Sequence, residues 1–456
     1  MTYSCDFLLE RFASVPDQVA FIDDDEEFTF AWVLDRVPEY EALLSYAGVK
    51  RGDVVVVLAD YSPHIFCFIL AAVSKGIIFA PMTSDSVVDL TTILELSEAD
   101  LYIEFAKDPE DIRIVPHTPQ NKNSLLGEFR PRDQPGLLLF SSGSTGDPKG
   151  ILLDFGSVLE KFRIARPRVT AISFLMLDHF GGINTLLHIL SNLGTVVTVR
   201  ERSVRAVCQA IQRHRVELLP TTPSFLNILV HSDVGSHYDL SCLRIISYGT
   251  EVMPQVTLDR LALQFPDVKL QQTYGLSEVG VLRTKSRPDG SLWLKIGGEG
   301  FMTQVREHVL WVKSDYAMVG YLNAPSPFDE DGWFNTQDRV EVDGDYIRIL
   351  GRTTDLINVG GQKVYPAEVE DVIIGLDNIE DVRVFGEKNA LVGNIVVAQV
   401  VLREPENPAD LKPRIRKACL ESLADFKVPA KVTELHSGLY SYRHKKIRTR
   451  DGFITP

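Results

Sequence analysis

The chain has 456 residues, 45% of them hydrophobic, and carries a formal net charge of −15. That length exceeds a single compact core and implies two or three domains. The negative balance disfavours a nucleic-acid binder, since phosphate contacts need a basic surface.

The five cysteines (Cys5, Cys67, Cys208, Cys242, Cys419) are odd in number and never in CxxC spacing, which argues for a reducing compartment and against a structural zinc site. Asp6, Glu10 and Arg11 interrupt the N-terminal apolar residues, so no signal peptide is expected. The longest uncharged stretch, 179–199, contains Asn184, His188 and Asn192 and reads as a helix followed by a strand, not a membrane span. A cytoplasmic location is the expectation. From Arg352 onward there are 16 basic and 15 acidic residues, so the negative excess lies before that point.

Strand-like apolar runs alternate with helix-length amphipathic segments through about residue 280. Residues 54–58 read as a strand and 64–75 as a helix; 77–80 reads as a strand and 90–97 as a helix. Residues 136–140 form an apolar strand that runs into Ser141-Ser142-Gly143-Ser144-Thr145-Gly146-Asp147-Pro148-Lys149-Gly150, followed by a second apolar run at 151–153. Small residues let backbone N–H groups approach a polyanion, hydroxyls add donors, and Lys149 adds positive charge. This is a phosphate cradle whose spacing differs from the GxxxxGK[ST] P-loop.

Further on, 204–213 reads as a helix, and 218–220 and 243–248 as strands, the last ending in Ser247-Tyr248-Gly249-Thr250-Glu251. This alternation indicates an α/β architecture with largely parallel sheets. Beyond about Leu292 the pattern changes to short strands with turns at Asp331-Gly332 and Asp343-Gly344, as in an antiparallel sheet or small barrel. After Arg352 an α+β tail is expected, with strands near 382–384 and 395–401 and a helix over 408–423.

Four more motifs accompany the phosphate cradle. Gln272-Thr273-Tyr274-Gly275-Leu276-Ser277-Glu278 offers a carboxylate, Glu278, of the kind that holds Mg²⁺ beside phosphate oxygens, and a flat ring, Tyr274, for a base. Gly332-Trp333-Phe334-Asn335-Thr336-Gln337-Asp338 ends in a carboxylate, which when ionised accepts hydrogen bonds only. Arg348-Ile349-Leu350-Gly351-Arg352 is followed by Asp355 and by Gly360-Gly361-Gln362-Lys363. The basic tail holds Lys445-Lys446-Ile447.

Together, in this order, these motifs resemble those of the adenylate-forming enzymes: acyl-CoA synthetases, adenylation domains and firefly-type luciferases. The resemblance spans essentially the whole chain. It implies a large N-terminal domain of parallel α/β sheets plus a small barrel-like sheet (1–351) and a small mobile α+β C-terminal domain (352–456). It also implies ATP, Mg²⁺ and a carboxylic acid as reactants, with an acyl-adenylate and pyrophosphate as the first products.

By the same resemblance, Ser141, Ser142, Gly143, Ser144, Thr145, Gly146 and Lys149 would cradle phosphates. Gly249, Thr250, Glu251, Thr273, Tyr274, Gly275, Ser277, Asp338 and Arg352 would hold the nucleotide. Glu278 would hold the metal and Lys446 the transition state, with the small domain turning about 352–355 for the second step. Gln337 and Lys445 stand where relatives carry glycine, and Ser277 where they carry threonine.

Leu175-Met176-Leu177-Asp178-His179-Phe180-Gly181-Gly182 falls where the family lines its acyl pocket. His179 would face the carboxylate, with a structural histidine as the alternative. Phe180 occupies the place of the aspartate of amino-acid-activating relatives, so an aryl or aliphatic acid is expected. No carrier domain is expected after Pro456, so the acceptor thiol would come from CoA or from phosphopantetheine on a separate carrier protein. Two alternatives stay open: a catalytically impaired ATP- or acyl-adenylate-binding protein, and an amide-forming or luciferase-like relative.

Overall fold

The computed structural model describes residues 5–84, 86, 88–106, 111–119, 122–142 and 148–435. Four sheets organise it. The first has seven strands in the order Lys269–Gln272, Ile245–Tyr248, Leu218–Thr221, Thr170–Ile172, Thr195–Val197, Val19–Asp23, Glu26–Thr29, all parallel except the last hairpin. The second has Val54–Leu58, Ile78–Met82, Leu101–Phe105 and Gly136–Ser142 as a parallel centre, with antiparallel strands Ile112–Pro116 and Pro148–Asp154 on either side and Gly320–Tyr321 beyond the latter.

Parallel sheets must be covered on both faces, and the side-chain alternation shows how. On the second sheet Val55, Val57, Phe79, Leu137 and Leu139 face a core shared with Phe21, Ala171 and Val196 of the first. The residues between them (Val54, Val56, Ile78, Ala80, Leu138) face a separate core on the outside. The helices Pro63–Lys75 and Phe180–Ser191 fill the space between the sheets. Pro63–Lys75 starts on a Ser62 cap that accepts from Ile65 N at 3.2 Å and buries residues on all sides, as a helix between two sheets must. The outer face of the first sheet is covered by Val204–His214, Pro223–His231 and Gln255–Gln264.

The change to antiparallel pairing comes earlier than about residue 292. The third sheet is seven-stranded and antiparallel and begins with Tyr274–Leu276, so the Tyr274 motif opens this sheet instead of ending the parallel part. Gly275 has Gly280 O and Val281 Cα 2.8 Å from where a Cβ would be, which makes this a tight hairpin. The two expected turns are present, with Gly332 at φ +79° and Gly344 at φ +59°.

The fourth sheet has five strands: Gln362–Val364, Ile357–Val359, Gly393–Leu402, Ile379–Asn389 and, parallel to Gly393–Leu402, Lys431–Glu434. With the helices Pro366–Ile374 and Pro408–Ser422 it closes its own core around Val369, Ile373, Val382, Val384 and Ile415. Polar contacts join this small unit to the large one: Asn227 Nδ2 donates to Glu380 O at 2.9 Å, and Val256 N donates to Asp371 Oδ1 at 3.4 Å. Among the described residues no helix is long and apolar enough to cross a membrane.

Candidate active site

Three clusters lie along the carboxyl ends of the parallel strands, where open α/β sheets bind ligands. The first is a cavity of about 300 Å³ between the first sheet, the third sheet and the small unit. Its walls include Thr250, Glu251, Thr273, Tyr274, Gly275, Asp338 and Arg352, so seven of the nine nucleotide-binding candidates after the phosphate loop and its hinge are brought to one place. Gly249 and Ser277 do not line it.

Asp338 is the polar centre of this cavity. It is 7% exposed, its Oδ2 accepts from the Tyr274 hydroxyl at 2.6 Å, and its Oδ1 lies 3.5 Å from Arg352 Nε. The hairpin register places Asp338 directly opposite Arg352. Burial pushes the Asp338 carboxyl above the usual range, and Arg352 and the Tyr274 hydroxyl pull it back. Burial and the adjacent carboxylate push the Tyr274 phenol well up. Gln337 adopts φ +61°, so the turn before Asp338 keeps the left-handed geometry that glycine favours although the residue is glutamine.

Gly249 acts by leaving space. A Cβ there would lie 2.4 Å from Thr273 Oγ1 and 2.8 Å from Thr273 O, so two strand ends meet only because the residue is glycine. Thr273 N and Oγ1 both donate to Tyr248 O, at 2.7 and 3.0 Å. Thr250 follows at φ +72°, and Glu251 accepts from Ser224 N and Oγ at 3.3 and 2.6 Å. Glu251 is thereby held at the start of the helix Pro223–His231.

The second cluster is a small cavity of about 20 Å³ lined by Phe174, Leu175, Met176, His179, Arg202, Thr222 and Thr250. Thr250 is common to it and the large cavity. His179 Nδ1 accepts from Gly181 N at 3.1 Å, so this histidine caps the helix Phe180–Ser191 while its ring borders the cavity. Asp178 turns away, accepting from Ser86 Oγ at 2.8 Å, and Phe180 is buried. Gly182 has no room for a side chain, since a Cβ would lie 1.9 Å from Met176 O. Arg202 escaped sequence reasoning, because an arginine between a strand and a helix carries no motif.

The third cluster joins the phosphate-loop lysine to the metal candidate. Lys149 Nζ lies 5.2 Å from the centre of the Tyr321 ring, and the Tyr321 hydroxyl donates to Glu278 Oε1 at 2.8 Å. Asn323 braces the same strand end: its Oδ1 accepts from Gly150 N at 3.1 Å and its Nδ2 donates to Pro148 O at 2.7 Å. Ser141 pairs with Lys149 in the hairpin, and Ser142 is the last residue of its strand. Gly143, Ser144, Thr145 and Gly146 lie outside the described residues, as does Lys446. Tyr321 and Asn323 were missed because they reach the loop only through the pairing of Gly320–Tyr321 with Pro148–Asp154.

No group of three or more metal-binding side chains exists among the described residues. One carboxylate with its second partner a phenol suits Mg²⁺, which is commonly held by one or two carboxylates plus substrate phosphates.

Known proteins resemble the chain along most of its length. Residues 8–298 match the model of the AMP-binding enzyme family, and residues 368–446 match that of the AMP-binding enzyme C-terminal domain. Acyl-CoA synthetase 7 of Caenorhabditis elegans is 27% identical over 490 aligned positions, covering 92% of this chain and 90% of that protein. The 2-succinylbenzoate–CoA ligase of Bacillus subtilis is 25% identical, covering 94% of each. The anthranilate CoA ligase AuaEII, solved with anthranoyl-AMP, shares the fold with a TM-score of 0.81 at 20% identity, over 97% of this chain and 95% of that one. The chain belongs to the AMP-binding enzyme family.

Proposed function

We propose that this member of the AMP-binding enzyme family is an AMP-forming acid–thiol ligase. In the first step a carboxylate oxygen attacks the α-phosphorus of ATP, the bond to the β-phosphate oxygen breaks, and acyl-adenylate and pyrophosphate form. In the second, a thiol sulfur attacks the acyl carbon, loses its proton, and releases AMP. The observation that carries this reading is the wall shared by the two cavities. Thr250 borders both the cavity built around Asp338 and the small cavity beside His179, so in this reading nucleotide and acid meet at one residue.

In this reading Asp338 accepts from the ribose hydroxyls, with Tyr274 and Arg352 each orienting one of its oxygens. The edges of the Gly249–Glu251 turn and Tyr274 border the base. Glu278 would hold Mg²⁺, and the metal would supply charge neutralisation for the phosphates. Lys149, with the loop before it, would receive the pyrophosphate. Catalysis then comes chiefly from positioning and from charge stabilisation, since negative charge moves onto equatorial oxygens.

Lys446 is proposed as the tail lysine that reaches the α-phosphate. Residues 352–456 are proposed as a separate lid that turns about 352–355. The separate core of the small unit supports a unit able to move. CoA is the proposed thiol and a carrier-bound phosphopantetheine the alternative; a cytoplasmic setting agrees with the free cysteines among the described residues.

Mass spectrometry of reactions with ATP, Mg²⁺, CoA and a panel of acids tests this reading: an acyl-AMP that converts to acyl-CoA is expected. A second reading, a protein that binds ATP or acyl-adenylate without turnover, is favoured by one observation, the lysine at 445 where relatives carry glycine. Stable ATP binding with no acyl-AMP for any acid would decide for it.

A further inference from the structure

We propose that Arg202 makes the acyl subsite cationic, and that the acid activated here is a short one carrying a second carboxylate. The inference rests on the acid-activating reading above and names its substrate class.

Arg202 stands just before the helix Val204–His214 and lines the small cavity with Phe174, Met176, His179, Thr222 and Thr250. Its Nε donates to Phe174 O at 2.8 Å, which fixes the plane of the guanidinium and uses one of its five N–H donors. Among the described residues it has no ion pair. Two acids of neighbouring segments accept from hydroxyls: Asp178 from Ser86 and Glu251 from Ser224. A partly buried guanidinium without an acid partner is costly to keep unless something anionic arrives.

The geometry fixes which part of the substrate that is. Thr250 separates the two cavities, so the reacting carboxylate belongs at the Thr250 end, facing the nucleotide. Arg202 is left for a group elsewhere on the acyl chain. A planar fork of N–H donors matches a carboxylate in two-point contact better than any other common acyl substituent. It also disfavours an ammonium, which strengthens the case against a free amino acid. The cavity has room for about one water-sized group beyond its walls, so a short chain fits and a long apolar one does not without rearrangement.

The test compares two hydrolysis-resistant acyl-adenylate analogues, succinyl- and butyryl-sulfamoyladenosine, which differ at the far end of a four-carbon chain. Binding of each to the full chain is measured by calorimetry for the wild type, Arg202→Gln and Arg202→Lys, with ATP affinity as a check on folding. The expected result is that the succinyl analogue binds about tenfold or more tightly than the butyryl one. Arg202→Gln should erase that margin by weakening only the succinyl analogue, and Arg202→Lys should keep part of it. ATP affinity should not change.

Equal binding of the two analogues by the wild type would overturn the assignment. So would equal weakening of both by Arg202→Gln, which would put the guanidinium on the reacting carboxylate. Either outcome leaves acid activation standing. Failure of both analogues to bind, with ATP still bound, would instead overturn the acid-activating reading and this inference with it. If Arg202→Gln does not fold, the wild-type margin and Arg202→Lys decide.

Discussion

The hydroxyl of Tyr274 donates to Asp338 Oδ2 at 2.6 Å, joining two motifs 64 residues apart in the chain. Arg352 approaches the other oxygen from the facing strand. Each carboxylate oxygen therefore keeps one fixed partner and a lone pair to spare, which is what acceptance of two ribose hydroxyls needs. Removing the carboxylate by Asp338→Ala leaves the phenol and guanidinium facing each other without an acceptor. ATP affinity should fall by about 10–100-fold, and Tyr274→Phe should cost less, about threefold to tenfold. Calorimetry with ATP measures both.

The same site should carry a pH dependence. Burial raises the Asp338 carboxyl, so it protonates at a higher pH than an exposed aspartate. The protonated acid loses acceptor capacity, so nucleotide affinity should decline as pH falls through that raised value. Asp338→Asn should flatten the profile at a uniformly lower affinity. For stability the sign is opposite: the folded state binds this proton more readily than the unfolded one, so ionisation of Asp338 works against folding as pH rises above about 3.9.

Tyr321 ties the loop lysine to the candidate metal ligand. Tyr321→Phe keeps the ring under Lys149 but frees Glu278 Oε1. The Mg²⁺ concentration for half-maximal activity should rise about threefold to tenfold, while metal-free ATP binding stays unchanged. Glu278→Gln should raise it further. A metal titration of initial rates reads both.

Gln337 holds a left-handed backbone at an exposed position, φ +61°. Gln337→Gly should relieve that strain and raise stability by roughly 0.5–1 kcal/mol, since the cost of the left-handed region outweighs the added flexibility of glycine. The denaturant midpoint of unfolding checks this.

Lys161 offers a test of stability. Its Nζ donates to Asn184 Oδ1 at 2.9 Å and to Val281 O at 2.7 Å, and burial, with Arg283 and Arg166 nearby, lowers it to about 8. The unfolded chain then binds more protons than the folded one between about pH 8 and 10.5, so this group makes stability rise with pH across that window. Lys161→Met should remove that rise relative to wild type. Parallel urea titrations at pH 8 and pH 10 give the difference.

Much of this was readable in the chain. The valine run at 54–58 and the apolar helix after it read as parts of a parallel α/β layer, and the motif order pointed to residues that the structure gathers around Asp338. What was not readable depended on pairing at a distance. The third sheet begins at Tyr274 because that segment pairs with Gly280–Ser286, and no local signal separates its strands from those of the parallel part. Tyr321 meets Lys149 and Glu278 only through an edge strand of two residues. His179 could be placed near the acid, but its capping of Gly181 N is a property of the helix start that the apolar sequence around it hides. Gln337 shows the reverse case: the sequence departs from the pattern, and the backbone keeps the shape.

The most direct test of the central claim is carboxylate-dependent exchange of labelled pyrophosphate into ATP, run for the wild type and for Asp338→Ala. Exchange that requires an acid and drops by about tenfold or more in the variant at subsaturating ATP is the predicted result. An exchange rate that ignores the acid, or that Asp338→Ala leaves intact, would contradict the account of this cavity as the seat of adenylation.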